Sequence, residues 1–250
     1  MSIAMDARKR DVLTVAEEAG PVPAVINAAG HSLKSLNGQL KVALSNGRVL
    51  IQEAAHLDGL AAGLENGEVI IEGDSGDYLA VLNDGATIHL TGNAGCYLAD
   101  NMTRGKVIVD GDAGYAAAPY CYGGTVVVEG EAGDFTAVMN KGATVLVRGN
   151  VGDDVATYML AGDLIICGDA GKNLGNYLIR GNIYVGGEWE SLGNNTRLEE
   201  ITEADLAKLR GCFDEYHIDA DPASFRKIVP LSEKPFYKSK APVQPTSPQK

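Results

Sequence analysis

Aliphatic residues recur along this chain in pairs two positions apart: Val69 and Ile71, Ile88 and Leu90, Val107 and Val109, Val126 and Val128, Val145 and Val147, Leu164 and Ile166, Ile183 and Val185. Alternate residues of a strand lie on one face, so each pair predicts a short strand with an aliphatic inner side. Most of the fourteen are β-branched, which suits a pleated surface. Each pair follows the one before by 19 residues, without slippage. Two residues after each pair stands a glycine that opens a Gly-x-x-Gly turn: Gly73 and Gly76, Gly92 and Gly95, Gly111 and Gly114, Gly130 and Gly133, Gly149 and Gly152, Gly168 and Gly171. Gly187 keeps the step but has Glu190 in place of a second glycine. Seven residues after each first glycine comes a small residue: Ala80, Ala99, Ala118, Ala137, Ala156 and Gly175.

A strict internal period is the mark of a repeat architecture. Nineteen residues are too few for a strand, a full helix and two connections, but they fit one coil of a solenoid. Stacked coils pair strand on strand in parallel at about 4.8 Å, so seven would form a rod roughly 34 Å long. One coil cannot bury its own aliphatic face; a stack can. Glycines placed directly after a strand can also cradle phosphate. Here no Lys-Ser or Lys-Thr follows any of them, so there is no P-loop. The acidic or amide residue after each first glycine (Asp74, Asn93, Asp112, Glu131, Asn150, Asp169) would repel an anion or compete for the backbone amides. The twelve glycines therefore read as structural turns, expected to supply the positive φ that sharp corners need. The 19-residue step also misses the nonapeptide period of a calcium-binding solenoid.

The pattern divides the chain. Residues 1–46 lack the period and are expected to cap one end. Residues 47–195 form the coils, with "GRVLIQ" (47–52) as a degenerate first coil and Ala54 where its first glycine would fall. Residues 196–229 carry a helix and a second cap: Thr202 with Glu203 and Asp205 is a helix start, and Leu206, Leu209, Phe213 and Tyr216 follow at helical spacing. That helix is expected to pack on the last coil. Residues 230–250, basic and rich in proline, form a flexible tail with too few apolar residues to fold alone, free to wrap a partner.

The net charge is −12, and residues 67–171 hold fifteen acidic side chains against four basic ones, so the charge lies on the rod. Such a surface repels phosphate backbones and anionic lipid, which argues against nucleic acid and membrane surfaces as partners and points to a basic one. No apolar run reaches the roughly 18–20 residues that cross a bilayer. The N-terminal stretch has no secretory hydrophobic region, and the four cysteines (Cys96, Cys121, Cys167, Cys212) form no framework, so a reducing cytoplasm is expected. The four histidines are far apart, and His89, between Ile88 and Leu90, should face outward. No spacing of His, Cys and carboxylate suits a metal, and no nucleophile elbow exists. No catalytic, cofactor-binding or metal residue is assigned. Tyr120, Tyr184 and Trp189, read as outward, are the candidate interface anchors, since large aromatics dominate interface energies.

The Gly-x-x-Gly coils resemble the C-terminal domain of the glutamate synthase large subunit, the Gly-X-Gly-X-Gly family. The pattern is shared by the coil-bearing subunits of formylmethanofuran dehydrogenase and of the formyltransferase/hydrolase complex. The resemblance covers about residues 37–227 and implies a single-stranded right-handed parallel β-helix of about seven coils. The column of small residues departs from the family in being mostly Ala where Gly is frequent. "GGEWESLGNN" (186–195), "EEITEADLAKL" (199–209) and "FRKIV" (225–229) resemble the free-standing chains of the glutamate synthase branch, such as the second subunit of N-methylglutamate synthase. The resemblance implies a non-catalytic scaffold subunit of an assembly that joins methylamine to glutamate and releases ammonia. Its partners would be a glutamine-amidotransferase-like subunit and a glutamate synthase-like subunit that carries FMN and iron–sulfur clusters; no cofactor is expected in this chain. The alternatives are the coil-bearing subunit of a formyltransferase/hydrolase or formylmethanofuran dehydrogenase complex, and a stand-alone polysaccharide-acting β-helix enzyme. The last would need long loop insertions, for which the unbroken period leaves no room.

Overall fold

The structure, a computed structural model, describes residues 24–45 and 47–234. The N-terminal part of the expected first cap and most of the tail lie outside the described residues. Among the described residues, eleven strands form one sheet in the order β1-β2-β3-β4-β5-β6-β7-β8-β9-β11-β10. They are β1 (Ala24–Asn27), β2 (Val49–Gln52), β3 (Glu68–Ile71), β4 (Asp84–Leu90), β5 (Arg104–Val109), β6 (Thr125–Val128), β7 (Lys141–Val147), β8 (Ala161–Ile166), β9 (Asn182–Val185), β10 (Thr196–Glu199) and β11 (Arg226–Pro230). Among the described residues two α-helices accompany them, α1 (Leu33–Leu44) and α2 (Glu203–Glu215). The chain is a mostly parallel β-solenoid of about seven turns, with one strand per coil.

Register follows the repeat. Val69 pairs with Ile88, Ile88 with Val107, Val107 with Val126, and so on to Leu164 with Ile183. The aliphatic pairs point inward and are wholly buried, forming the core with the alanine column. A second ladder runs along the turns, from Ala94 through Ala113, Ala132, Val151 and Ala170 to Trp189. The first coil departs from the step. Val49 pairs with Val69, 20 residues on, so Glu53 and not Ala54 occupies the corner position matching Gly73. The Asp77 amide nevertheless bonds Asp58, 19 residues back, which places the extra residue between 52 and 58.

The turn glycines serve a different purpose from the one expected. Of the twelve, only Gly73 has a positive φ (82°). The others lie where two coils touch, and a Cβ would strike the backbone of the coil before: at Gly92 the carbonyl of Gly73, at Gly111 that of Gly92. Positive φ belongs instead to the fifth, seventh and ninth residues after each first glycine, most of which are not glycine. Examples are Tyr78, Ala80 and Leu82, or Phe135, Ala137 and Met139, all between 51° and 61°. Each such left-handed L-residue costs roughly 1–2 kcal/mol in isolation. Stacking holds them: Tyr78 and Leu82 donate their amides to the next coil (Cys96 O, Asp100 O), and Ala80 donates to the preceding one (Leu60 O). Alanine at the seventh position is the smallest side chain that still fills the interior there, and it is fully buried in each coil that carries it.

Both ends of the stack are covered. Leu36 and Leu40 of α1 enter the core, and the Asn37 side chain bonds the carbonyl of Gly59 and the amide of Ala61, standing in for a coil that is not there. At the far end β11 runs antiparallel along β9, and β10 lies beyond it. The C-terminal helix is therefore not the end cap the sequence suggests. It lies on the flank, over the outward side of the sheet, where Val127, Leu146, Ile165 and Tyr184 pack against Leu209 and Phe213. Asp205 reaches Tyr184 on β9, Lys208 reaches Asp163 on β8 and Glu215 reaches Lys106 on β5. A 13-residue helix is about 20 Å long, close to four strand spacings of about 4.8 Å, so it runs along the rod axis. Thr202 caps it with the reciprocal bonds to Asp205 that its sequence implies, and exposed Gly211 does not interrupt it.

Candidate interaction surface

The segment after each turn builds one lateral face of the rod. Its seventh residue points inward, and the fifth and ninth carry the exposed side chains, except in the coil that opens at Gly111, where Ala116 at the fifth position is buried and Tyr115 beside it is exposed. In the fifth column Tyr78 and Tyr97 stack at 4.8 Å between ring centroids; Tyr97 then meets Tyr115 edge-on at 5.6 Å, and Tyr115 meets Phe135 at 5.5 Å. In the ninth column Tyr158 and Tyr177 stack at 5.6 Å. Tyr78, Leu82, Tyr115, Tyr120, Tyr122 and Tyr158 are each between 38% and 56% exposed, a concentration of large apolar surface on one side of the molecule. Offset and edge-on pairs at such distances gain about 0.5–1.5 kcal/mol each and hold the rings in fixed rows.

The same face is acidic. Asp77, Asp100, Asp134 and Asp154 lie on or beside the aromatic columns. Burial is the chief cause that raises the Asp100 carboxyl above its usual range, against hydrogen bonds from Asn101. One cation already sits there. Lys141 Nζ lies 4.0 Å from the Tyr122 ring centroid and 5.7 Å from that of Tyr120, and it donates to the Tyr122 hydroxyl at 2.9 Å. An ammonium so placed gains the ring quadrupole as well as the field of the carboxylates.

The three candidate anchors separate in the structure. Tyr120 is exposed on this face. Tyr184 does point away from its coil, but α2 covers it completely, and its hydroxyl donates to Asp205 at 2.6 Å. It is a core residue of the flank and not an interface anchor. Trp189 is half-buried against the interior, with the Arg226 guanidinium 4.1 Å from its ring. The ladder of Tyr78, Tyr97, Tyr115, Phe135, Tyr158 and Tyr177 was legible in principle, because all but Tyr115 fall on the fifth or ninth position of the repeat.

The turns leave few donors for an anion. The Asp74 carboxylate accepts the Asn93 amide at 2.7 Å, Asn93 accepts from Asp112, Asp112 from Glu131, Asn150 from Asp169, and Asp169 from Glu188. A second row runs through Asp58, Asp77 and Cys96, and through Asp134, Asp153 and Lys172. The acids after the glycines thus occupy the amides a phosphate would need.

Among the described residues no group of three or more His, Cys, Asp or Glu is placed to hold a metal ion, and no helix is long and apolar enough to cross a membrane. His89 points outward, as its strand position implies, and bonds Asp110 at 2.7 Å. Cys121 is fully buried, with Sγ 3.2 Å from the Ala99 carbonyl, and burial pushes its thiol up to about 12. Since the thiolate is the reactive form, Cys121 should resist iodoacetamide in the native protein at pH 8 and react only after unfolding. Peptide mapping of the alkylated native chain checks this; rapid labelling of Cys121 would show that the coil opens there.

The model of the GXGXG motif family matches residues 51–220. Among solved structures the chain is similar to one from the crystal structure of the formyltransferase/hydrolase complex of Methylorubrum extorquens with methylofuran. The two are 20% identical with a TM-score of 0.45, over 82% of this chain and 88% of that one. No curated protein matches the chain in sequence.

Proposed function

The chain belongs to the GXGXG motif family, and on that premise we propose that it is a structural subunit of a multisubunit enzyme, a rigid rod against which other subunits are set. The observation that carries this reading is the lateral face of ordered tyrosines among aspartates. Contiguous apolar patches on a soluble surface mark interaction sites, and rings already held in rows lose little conformational freedom on binding. The β-solenoid supplies rigidity, because every coil is fixed by backbone bonds to both neighbours.

The C-terminal sequence favours a glutamate synthase-like assembly, N-methylglutamate synthase in particular. There the chain would hold an amidotransferase-like subunit beside an FMN and iron–sulfur subunit, in the cytoplasm, with the redox centres in the partner. The second reading is a subunit of a formyltransferase/hydrolase complex, which shares the coil pattern. One experiment separates them. The tagged chain is purified from its native host, the co-purifying chains are identified by mass spectrometry, and the complex is assayed for amine transfer to glutamate and for formyl transfer. The expected result is an amidotransferase-like and a flavin-containing chain, with amine-transfer activity that falls when this chain is removed. Formyltransferase chains would establish the second reading; a chain that elutes alone, with full activity left in the others, would end both.

A further inference from the structure

The sheet ends on β10, and among the described residues nothing pairs with its outer edge. Such an edge is a template for another strand unless lysines, prolines or bulges blunt it. Thr196–Glu199 has none of these and pairs in unbroken register with β11. Its two charges, Arg197 and Glu199, are opposite in sign and bond each other at 2.7 Å on one face. Leu198, between them, is 52% exposed. The ladder fixes which backbone groups the edge offers. Thr196 lies opposite Pro230, and the Leu231 amide donates to the Asn195 carbonyl at 2.8 Å. In an antiparallel ladder that pattern makes Thr196 and Pro230 a pair that does not exchange bonds, and Arg197 and Val229 a pair that does. Arg197 and Glu199 therefore turn their N–H and C=O groups to β11, and Leu198 turns both of its own to the open edge.

That edge is complementary to itself. Let a second β10 lie antiparallel against the first, with a two-fold axis through Leu198. The two Leu198 residues then exchange both backbone bonds, and main-chain bonds of this kind are what strand addition to an edge gains. The register sets Arg197 opposite Glu199 of the second copy, and Glu199 opposite its Arg197. These are pairs that do not exchange bonds, where Cα atoms stand about 4.5 Å apart and side chains come closest. Opposite charges so placed stabilise a sheet, and like charges destabilise it. Glu199 has capacity for the added cation. It holds Arg197 and Lys227 in its own chain, and an ionised carboxylate has about four acceptor sites. Leu198 lies on the other face, where its neighbour Ile228 enters the core, and there it meets Leu198 of the second copy. The nearest registers that keep the hydrogen bonds are shifted by two residues, and they set Glu199 against Glu199 or Arg197 against Arg197. The axis is perpendicular to the sheet, so both interiors stay on one side of it and the two rods run end to end.

We propose that two copies of the chain join end to end through β10, antiparallel about Leu198, into one longer rod with a continuous sheet. The inference does not rest on the scaffold reading, which uses the lateral tyrosine–aspartate face. If both hold, the joined rods carry two sets of the other subunits.

Analytical ultracentrifugation of the full-length chain over a dilution series tests it. The expected result is twice the monomer mass at high concentration, with dissociation on dilution. Arg197→Glu sets like charges against each other twice across the axis and should weaken the dimer at least about tenfold. Arg210→Glu makes the same charge change on the exposed side of α2 and should leave it unchanged. Leu198→Cys reads the register. Residues that exchange backbone bonds have Cα atoms about 5.5 Å apart, within disulfide reach. Mild oxidation should therefore give a covalent dimer in which both linked peptides, identified by mass spectrometry, contain position 198. The wild-type chain, oxidised alongside, gives the background from its own four cysteines. A monomer at every concentration would overturn the proposal. So would a dimer that Arg197→Glu does not weaken, or the absence of any link between the two 198 positions.

Discussion

Gly168→Ala should leave little folded protein, at a cost above roughly 3 kcal/mol, the upper part of the range for overpacking. A Cβ at Gly168 would stand 2.5 Å from the Gly149 carbonyl oxygen, 2.6 Å from its carbon and 2.5 Å from Asn150 Oδ1. Two of these are backbone atoms in the neighbouring coil and cannot rotate away. The third is pinned by the bond it accepts from the Asp169 amide. Relief requires the two coils to separate, which breaks the strand pairing beside them. Gly73→Ala is the control. It has positive φ but nothing within 4 Å of the added carbon, so it should cost only the left-handed penalty, about 1–2 kcal/mol. Urea unfolding of both variants gives the comparison. Equal costs would mean that the glycines serve backbone conformation after all.

Asp205→Ala should cost about 3 kcal/mol and release α2 from the rod. The Asp205 carboxylate is almost fully buried. It accepts from the Tyr184 hydroxyl, from the amide and hydroxyl of Thr202, and from Lys227 Nζ at 3.0 Å. Removing it takes one of two carboxylates from the buried Lys227 ammonium and leaves the Tyr184 hydroxyl without its acceptor, and a broken buried pair costs about 3–5 kcal/mol. The lower end is expected because Glu199 still lies 3.2 Å from Lys227. Thr202→Ala removes only the cap and should cost about 1 kcal/mol. Hydrogen exchange should show the amides of Leu209 and Phe213 in α2 losing protection in the Asp205 variant alone, while Val127, Leu146 and Ile165 stay protected in the strand ladder. A cost no larger than that of Thr202→Ala would show that the helix is held by apolar contacts.

The same cluster sets a pH window. Burial by itself would raise the Asp205 carboxyl, but the bonds from Thr202, Tyr184 and Lys227 outweigh it and hold it well below the ordinary 3.8. Its stabilisation is therefore complete above the unfolded value and is lost as pH falls through the folded one. Burial would lower Lys227, yet the bonds to Asp205 and Glu199 raise it above 10.5; burial and Asp205 together raise Tyr184 above 10. Both contributions are complete below those unfolded values and are lost as pH rises through the folded ones. The flank should be most stable between about pH 4 and 10, and Asp205→Ala should flatten both edges.

The repeat by itself determined the fold. A strict 19-residue period of inward aliphatics admits one economical solution, a stack of coils in which like positions become neighbours, and Val69, Ile88 and Val107 pair accordingly. It also determined the helix start at Thr202, because a cap is a local matter of four residues. The turn glycines were legible as turns but not in their physical role: a glycine demanded by φ and one demanded by an approaching backbone look the same in sequence. The buried Asn83 and Asn140, each clamping the amide and carbonyl three residues on, were not legible either, since their column otherwise holds Met, Cys and Leu. Tertiary structure alone decided which sides of the rod are covered. Tyr184 and Tyr120 both point away from their coils, yet one is sealed beneath α2 and the other is exposed. What separates them is where a helix lands, through contacts such as Lys106 to Glu215, 109 residues apart. A periodic sequence specifies its nearest neighbours in the stack, whereas that docking depends on complementary surfaces that share no period with it.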